Sequence, residues 1–334
     1  MGFYMNKKVL LPFEIDPLSV MYHYIAFPLG VIQGNAKCDI TPWLCHMFVN
    51  CIFNPFANNK FSISFSDNWG IDDKIVFHQQ MCLFNDTYNI IGIDIIQLIK
   101  KMLANRCYVG GNYNEEYVPG KKAYGLEYFP HDFLLNGFDN EKKVFYSVSY
   151  LSKKFVNHEI PYSNMLQALT SMANKRPILN FYQYNTETKI NLNIEKTLRA
   201  LQDYLSSSNS LHQYTKGFFY GLEAIDKLGE YYVSYTKQKN FDHRYTKGLM
   251  EQKNIMHKRI KYLCSKKYIT DKEYISKSKT VSEYSTIIHN LGIRYKLLGD
   301  CKILQEIKVI IQKMKEIELS YLVSVENELE LLTK

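Results

Sequence analysis

Two neighbouring β-prone runs constrain this chain more than any other feature. Phe133, Leu134 and Leu135 form a short apolar run. Gly137 to Lys143 is polar and can turn, and Val144, Phe145, Tyr146 and Val148 form a second run rich in β-branched and aromatic residues. The spacing predicts two adjacent strands, with His131 opening the first, directly after Pro130. An imidazole fixed at a strand start is a candidate for acid–base work near neutral pH.

Around this pair the sequence predicts an α+β domain followed by an all-α region, divided as residues 1–175 and 176–334. Within the first part, a short helix is expected around Tyr22 to Phe27, where Pro28 and Gly30 interrupt the pattern. Ile40, Trp43, Leu44, Met47, Phe48, Cys51 and Ile52 recur at three- and four-residue steps and predict an amphipathic helix, with Thr41 or Asp39 as its cap. Residues 60–79 alternate as strands do. Ile90 to Ala104 and Asn164 to Ala173 predict further helices, and Gly110-Gly111 interrupts a strand that opens at Cys107. A boundary is expected near 175–192. Beyond it, apolar steps predict helices over 193–206, 217–235, 241–264, 272–298 and 301–332, joined by short loops in the manner of a helical bundle.

Lysine and arginine outnumber aspartate and glutamate by 41 to 33, a balance that favours acidic partners, but no basic run marks a nucleic-acid site. The seven cysteines are irregularly spaced without a Cys-x-x-Cys pair, which speaks against a disulfide framework and a zinc site and fits a reducing cytoplasm. No apolar run reaches membrane-spanning length. Neither a P-loop, a Gly-x-Gly-x-x-Gly nor a Gly-x-Ser-x-Gly is present, so nucleotide-dependent ligation and serine hydrolysis lack support. His243 and His257 are not spaced as metal ligands. Asp242, Arg244, Glu251 and Arg259 are expected to form a buried polar network or line a substrate pocket, with interhelical ion pairs as the alternative.

Cys38 lies at or just before the start of the helix predicted from residue 40. A helix N-terminus and a nearby imidazolium both favour thiolate over thiol, which makes Cys38 the candidate nucleophile. Cys45, one turn further on, is the rival. A purely structural thiol is the alternative for both, since free cysteine is among the most buried residue types.

The segments Cys107-Tyr108-Val109, Glu116-Tyr117-Val118-Pro119, Phe129-Pro130-His131-Asp132, Gly137-Phe138-Asp139 and Phe145 to Tyr150 together resemble the histidine half of the papain-like, C39-peptidase-like domains of bacterial natural-product clusters, the butirosin-type acyltransferases among them. The resemblance covers roughly residues 8–172. It implies a papain-like (C39-like) cysteine-protease fold with an added helical region, His131 as general base, and Gln33, followed by Gly34, as a donor to the oxyanion. It also implies a third catalytic group on the strand that returns beside His131, where Ser149 stands in place of the usual Asp.

The activity implied is cysteine-dependent acyl transfer. An acyl thioester on the phosphopantetheine arm of an acyl or peptidyl carrier protein passes its acyl group to a small-molecule amine, and an amide forms. No cofactor or metal is expected beyond that arm, and neither nucleic acid nor membrane is an expected partner. A catalytically inactive papain-like binding scaffold is the alternative from a different class, and a cysteine peptidase is a third.

Overall fold

The computed structural model describes residues 7–56, 60–63, 75–82, 92, 94–151, 154–172, 178–210, 217–234 and 241–334. The chain is α+β and forms two compact units that no single cut in sequence separates. One comprises residues 1–37 with 71–188, the other residues 38–70 with 189–334. The division expected at 175/176 is therefore drawn differently by the structure, because an early segment belongs with the helical part.

The first unit is built on a seven-stranded sheet whose described pairings are all antiparallel. Its strands are β1 (Lys8–Leu10), β4 (Val76–Cys82), β5 (Tyr108–Asn114), β6 (Pro130–Asp139), β7 (Val144–Leu151), β8 (Lys154–Pro161) and β9 (Ile178–Tyr184). The order is β4-β9-β5-β6-β7-β8, with β1 alongside β6. The expected pair is present as the β6–β7 hairpin, in which Leu134 faces Val148. Gly137 is needed where β1 joins, because a Cβ there would lie 2.3 Å from the Val9 carbonyl oxygen. Strand β9 falls inside the stretch expected to be a boundary. It inserts between β4 and β5, so this stretch completes the sheet rather than linking domains.

Helix α1 (His23–Asn35) packs against β6 and β9 of the same unit. It runs through Pro28 and Gly30, which were expected to end it, and is buried along most of its length. Gly30 and Gly34 leave room for Phe13, whose ring and backbone would clash with any Cβ at those positions. The sheet also carries α3 (Ile95–Ala104), capped by the Asp94 carboxylate at Ile96 N and Gln97 N, and α4 (Tyr162–Thr170).

The second unit pairs a small sheet with helices. Strands β2 (Cys51–Asn54), β3 (Lys60–Ile63) and β10 (Phe219–Tyr220) are ordered β10-β2-β3. The helices are α2 (Thr41–Leu44), α5 (Ile194–Leu205), α6 (Gly221–Ser234), α7 (Arg244–Ser265), α8 (Glu273–Leu298) and α9 (Cys301–Leu331). Helices α7, α8 and α9 pack in succession, and α5 and α6 lie against α9. Gly299, in the left-handed region at φ 73°, ends α8, and the Asp300 carboxylate caps α9 at Lys302 N.

The long helix expected over residues 40–52 is a single turn, α2. Phe48 takes a left-handed φ of 58°, and the chain then enters β2. Side chains of α7 hold the irregular piece between them. Arg259 donates to the carbonyl oxygens of Leu44 (3.1 and 2.8 Å) and Met47 (2.8 Å), and Gln252 donates to that of Val49 (2.7 Å). These buried donors satisfy carbonyls that a helix would have paired internally. Arg259 thus donates to backbone carbonyls, while Arg244 pairs with Asp242 and Lys247 with Glu251.

None of the described helices is long and apolar enough to cross a membrane.

Candidate active site

His131 opens β6 and faces Tyr113 across the β5–β6 ladder. The chain leaves β5 through a 3₁₀ turn at Glu115–Tyr117, which brings the Glu115 carboxylate back onto His131. Asn114, 1 % exposed, sets this turn. Its side-chain oxygen accepts from Glu116 N (3.1 Å) and from Phe129 N (2.9 Å), while Glu115 N donates to the Phe129 carbonyl (2.8 Å). The approach to His131 and the turn that carries Glu115 are therefore tied by the same side chain.

Nδ1 of His131 lies 2.7 Å from Oε1 of Glu115. The same oxygen receives Lys121 Nζ at 3.0 Å, and Lys121 also donates to the Tyr150 carbonyl on β7 at 3.2 Å. Burial alone would raise the Glu115 pKa. The hydrogen bond from His131 and the charge of Lys121 outweigh it and hold the carboxyl below its usual range. Glu115 is consequently an anion that fixes the proton of His131 on Nδ1 and leaves Nε2 as the basic nitrogen. The His131 side chain is 39 % exposed.

A second imidazole stands beside the first. His23 is the first residue of α1, and its ring centroid is 4.8 Å from that of His131. It stacks on Phe27 and Tyr150 and lies near Phe155. Burial, and secondarily the charges of His131 and Lys121, push its pKa down to about 3. His23 is thus neutral under ordinary conditions.

The expected site residues are distributed differently from the sequence reading. The Ser149 hydroxyl, expected to orient His131, lies 3.4 Å from Nδ1 of His158 on β8, and the group that orients His131 is Glu115. Gln33 sits ten residues beyond His23 in α1, about 15 Å along the helix axis. Its side-chain oxygen accepts from Leu18 N at 2.9 Å, so it is not placed to serve an oxyanion at His131. Cys45 is fully buried in the core of the second unit, and burial pushes its thiol up to about 12, which rules out a thiolate at neutral pH. Cys38 is exposed and belongs to the second unit, just before α2. The helix expected to activate it is only four residues long. Among the described residues, no cluster of metal-ligating side chains occurs.

The histidines give the first unit a marked acid sensitivity. His23 has a native pKa of about 3 and His158 of about 4, both lowered chiefly by burial from an unfolded value near 6.5. Below pH 6.5 the unfolded chain binds protons that the native one refuses, so stability is full above that value and falls with pH. The loss is about 1.4 kcal/mol per pH unit per histidine and continues to about pH 4 for His158 and about pH 3 for His23. Urea midpoints of the parent between pH 7 and pH 4.5 should therefore drop steeply, and His23→Phe should flatten the slope by about half. Equal slopes for the two proteins would contradict the burial of a neutral His23.

No family model matches this chain, and no curated protein matches its sequence.

Proposed function

We propose that the first unit is papain-like and carries the general-base half of an acyltransferase, which passes an acyl group from a carrier-protein thioester to an amine. The observation that supports this reading is the pair formed by His131 and Glu115, with Nδ1 engaged at 2.7 Å by a carboxylate on a side chain that is 39 % exposed. An oriented imidazole with a basic Nε2 is what an attacking amine needs to lose its proton. Conversion of a thioester to an amide is downhill, so the reaction requires no nucleotide.

Two routes lead to the amide. In the cysteine-dependent route Cys38 carries the acyl group and the amine then displaces it. In the direct route the amine, deprotonated by His131, attacks the thioester itself. The surroundings of His131 within its own unit favour the direct route, since the ring tilted against it is that of His23 and no thiol takes that place. Incubating the protein with an acylated carrier protein and an amine should yield amide, and His131→Ala should reduce the rate at least a hundredfold. On the direct route Cys38→Ala keeps its activity and intact-mass analysis finds no acylated protein. Loss of activity in Cys38→Ala, with an acyl adduct on the parent, selects the cysteine route. No amide under any of these conditions removes the acyltransferase reading.

A catalytically inactive binding scaffold is the second reading. It is favoured by the same imidazole at the start of α1, where a papain-like enzyme would present its thiol. Binding of the carrier without any turnover would select it.

A further inference from the structure

His23 has no role in general-base chemistry at His131, yet the fold places it with unusual care. It begins a thirteen-residue helix, where the first backbone N–H groups lack intrahelical acceptors and the local potential is positive. Only 7 % of the residue is exposed. Its ring has no hydrogen-bond partner among the described residues, and neither ring nitrogen is among the polar atoms sealed from solvent without one. An unpaired polar group in an otherwise apolar setting of Phe27, Tyr150 and Phe155 is costly unless a ligand completes it.

We infer that His23 is a hydrogen-bond donor to the acyl oxygen of the substrate, working opposite the base His131. The inference rests on the acyl-transfer reading and supplies the oxyanion donor that Gln33 is too distant to provide. Neutrality suits this task, because a neutral ring keeps an N–H to donate and cannot compete with His131 for the proton. A neutral imidazole at a helix start polarising a carbonyl is an arrangement known from triosephosphate isomerase.

The amine nitrogen bonds to the thioester carbon, and the carbonyl π pair moves onto oxygen, where the His23 N–H holds it. His131 Nε2 takes a proton from the attacking nitrogen. The oxyanion then re-forms the carbonyl, the carbon–sulfur bond breaks, and the departing sulfur receives the proton from His131. No oxidant, metal or further reactant is consumed.

The test combines rates with a readout that does not depend on turnover. His23→Phe keeps the stacking without a donor, while His23→Gln restores a donor through its carboxamide. With folding checked by thermal melting, kcat for amide formation should fall about a hundredfold in His23→Phe and recover in part in His23→Gln, with KM within twofold of the parent. Equal rates in all three would overturn the inference and leave the base assignment standing. If the parent forms no amide, the acyl-transfer reading fails, and the imidazole is judged by NMR alone. With ¹⁵N-labelled histidine, adding S-acetyl-N-acetylcysteamine to the parent should shift the His23 N–H resonance, and this shift should vanish when His23 is replaced. An unmoved His23 resonance at saturating probe would overturn the donor role.

Discussion

Lys253→Met should destabilise the second unit by about 3–5 kcal/mol, the largest stability loss expected of any single change in this protein. Lys253 and Glu318 are both fully buried, with Nζ 2.6 Å from Oε2. The Tyr204 hydroxyl completes the group by donating to the same carboxylate oxygen at 2.6 Å, and Lys253 lies 2.5 Å from that hydroxyl. The three side chains come from α7, α9 and α5, and they sit within an otherwise apolar core. Methionine preserves most of the volume of lysine, so packing changes little. What changes is that Glu318 becomes a buried carboxylate with one neutral partner. A loss of this size is a large share of the 5–15 kcal/mol by which domains are usually stable. The double variant Lys253→Met with Glu318→Leu should recover most of the loss, because removing both charges leaves no buried anion to solvate. Urea unfolding followed by a probe in the helical unit measures both. A single variant that loses less than about 1 kcal/mol would show that water reaches the pair.

The second large effect is on activity. Glu115→Gln should lower kcat for amide formation by a factor between about a hundred and ten thousand, with little change in KM. The substitution is isosteric, so the turn built on Asn114 remains. Its carboxamide, however, can present an N–H to the His131 ring where the carboxylate could only accept. The ring then tends to carry its proton on Nε2 and loses its base. Lys121 also loses its anionic partner, and buried lysine is costly without one, so some loss of stability should accompany the kinetic effect. An intact fold with parental kcat would contradict a role for Glu115 in orienting the base.

Much of the scaffold was legible from residue patterns, and the reasons are physical. The β6–β7 hairpin follows from apolar and β-branched runs around a polar turn. The helices of the second unit follow from apolar steps long enough to exclude strands. The early helices were harder. Pro28 and Gly30 read as breakers, yet α1 runs through both, and Phe13 packs where a side chain at Gly30 would otherwise stand. The spacing from Ile40 to Ile52 imitates a helix, but Arg259 and Gln252, more than two hundred residues away, supply the hydrogen bonds that let the backbone turn instead. Strand β9 was hidden because its partners, β4 and β5, are distant in sequence.

At the candidate site, His131 stood out because a single histidine opens a strand. Its orienting group did not, because β6 pairs with β5 as well as with β7. The returning strand β7 presents Ser149, whereas the carboxylate arrives from the end of β5 on the other side. Glu115 lies two residues past Tyr113, the ladder partner of His131, so the signal existed once β5 and β6 were paired. His23 carried no comparable signal, since nothing in its local sequence distinguishes it from a core histidine.

The protonation of the His131 ring tests the central claim most directly. In protein with ¹⁵N-labelled histidine at pH 8, the neutral His131 ring of the parent should carry its proton on Nδ1, and Glu115→Gln should move it, wholly or in part, to Nε2. A parent ring protonated on Nε2, or a ring indifferent to Glu115, would contradict the account.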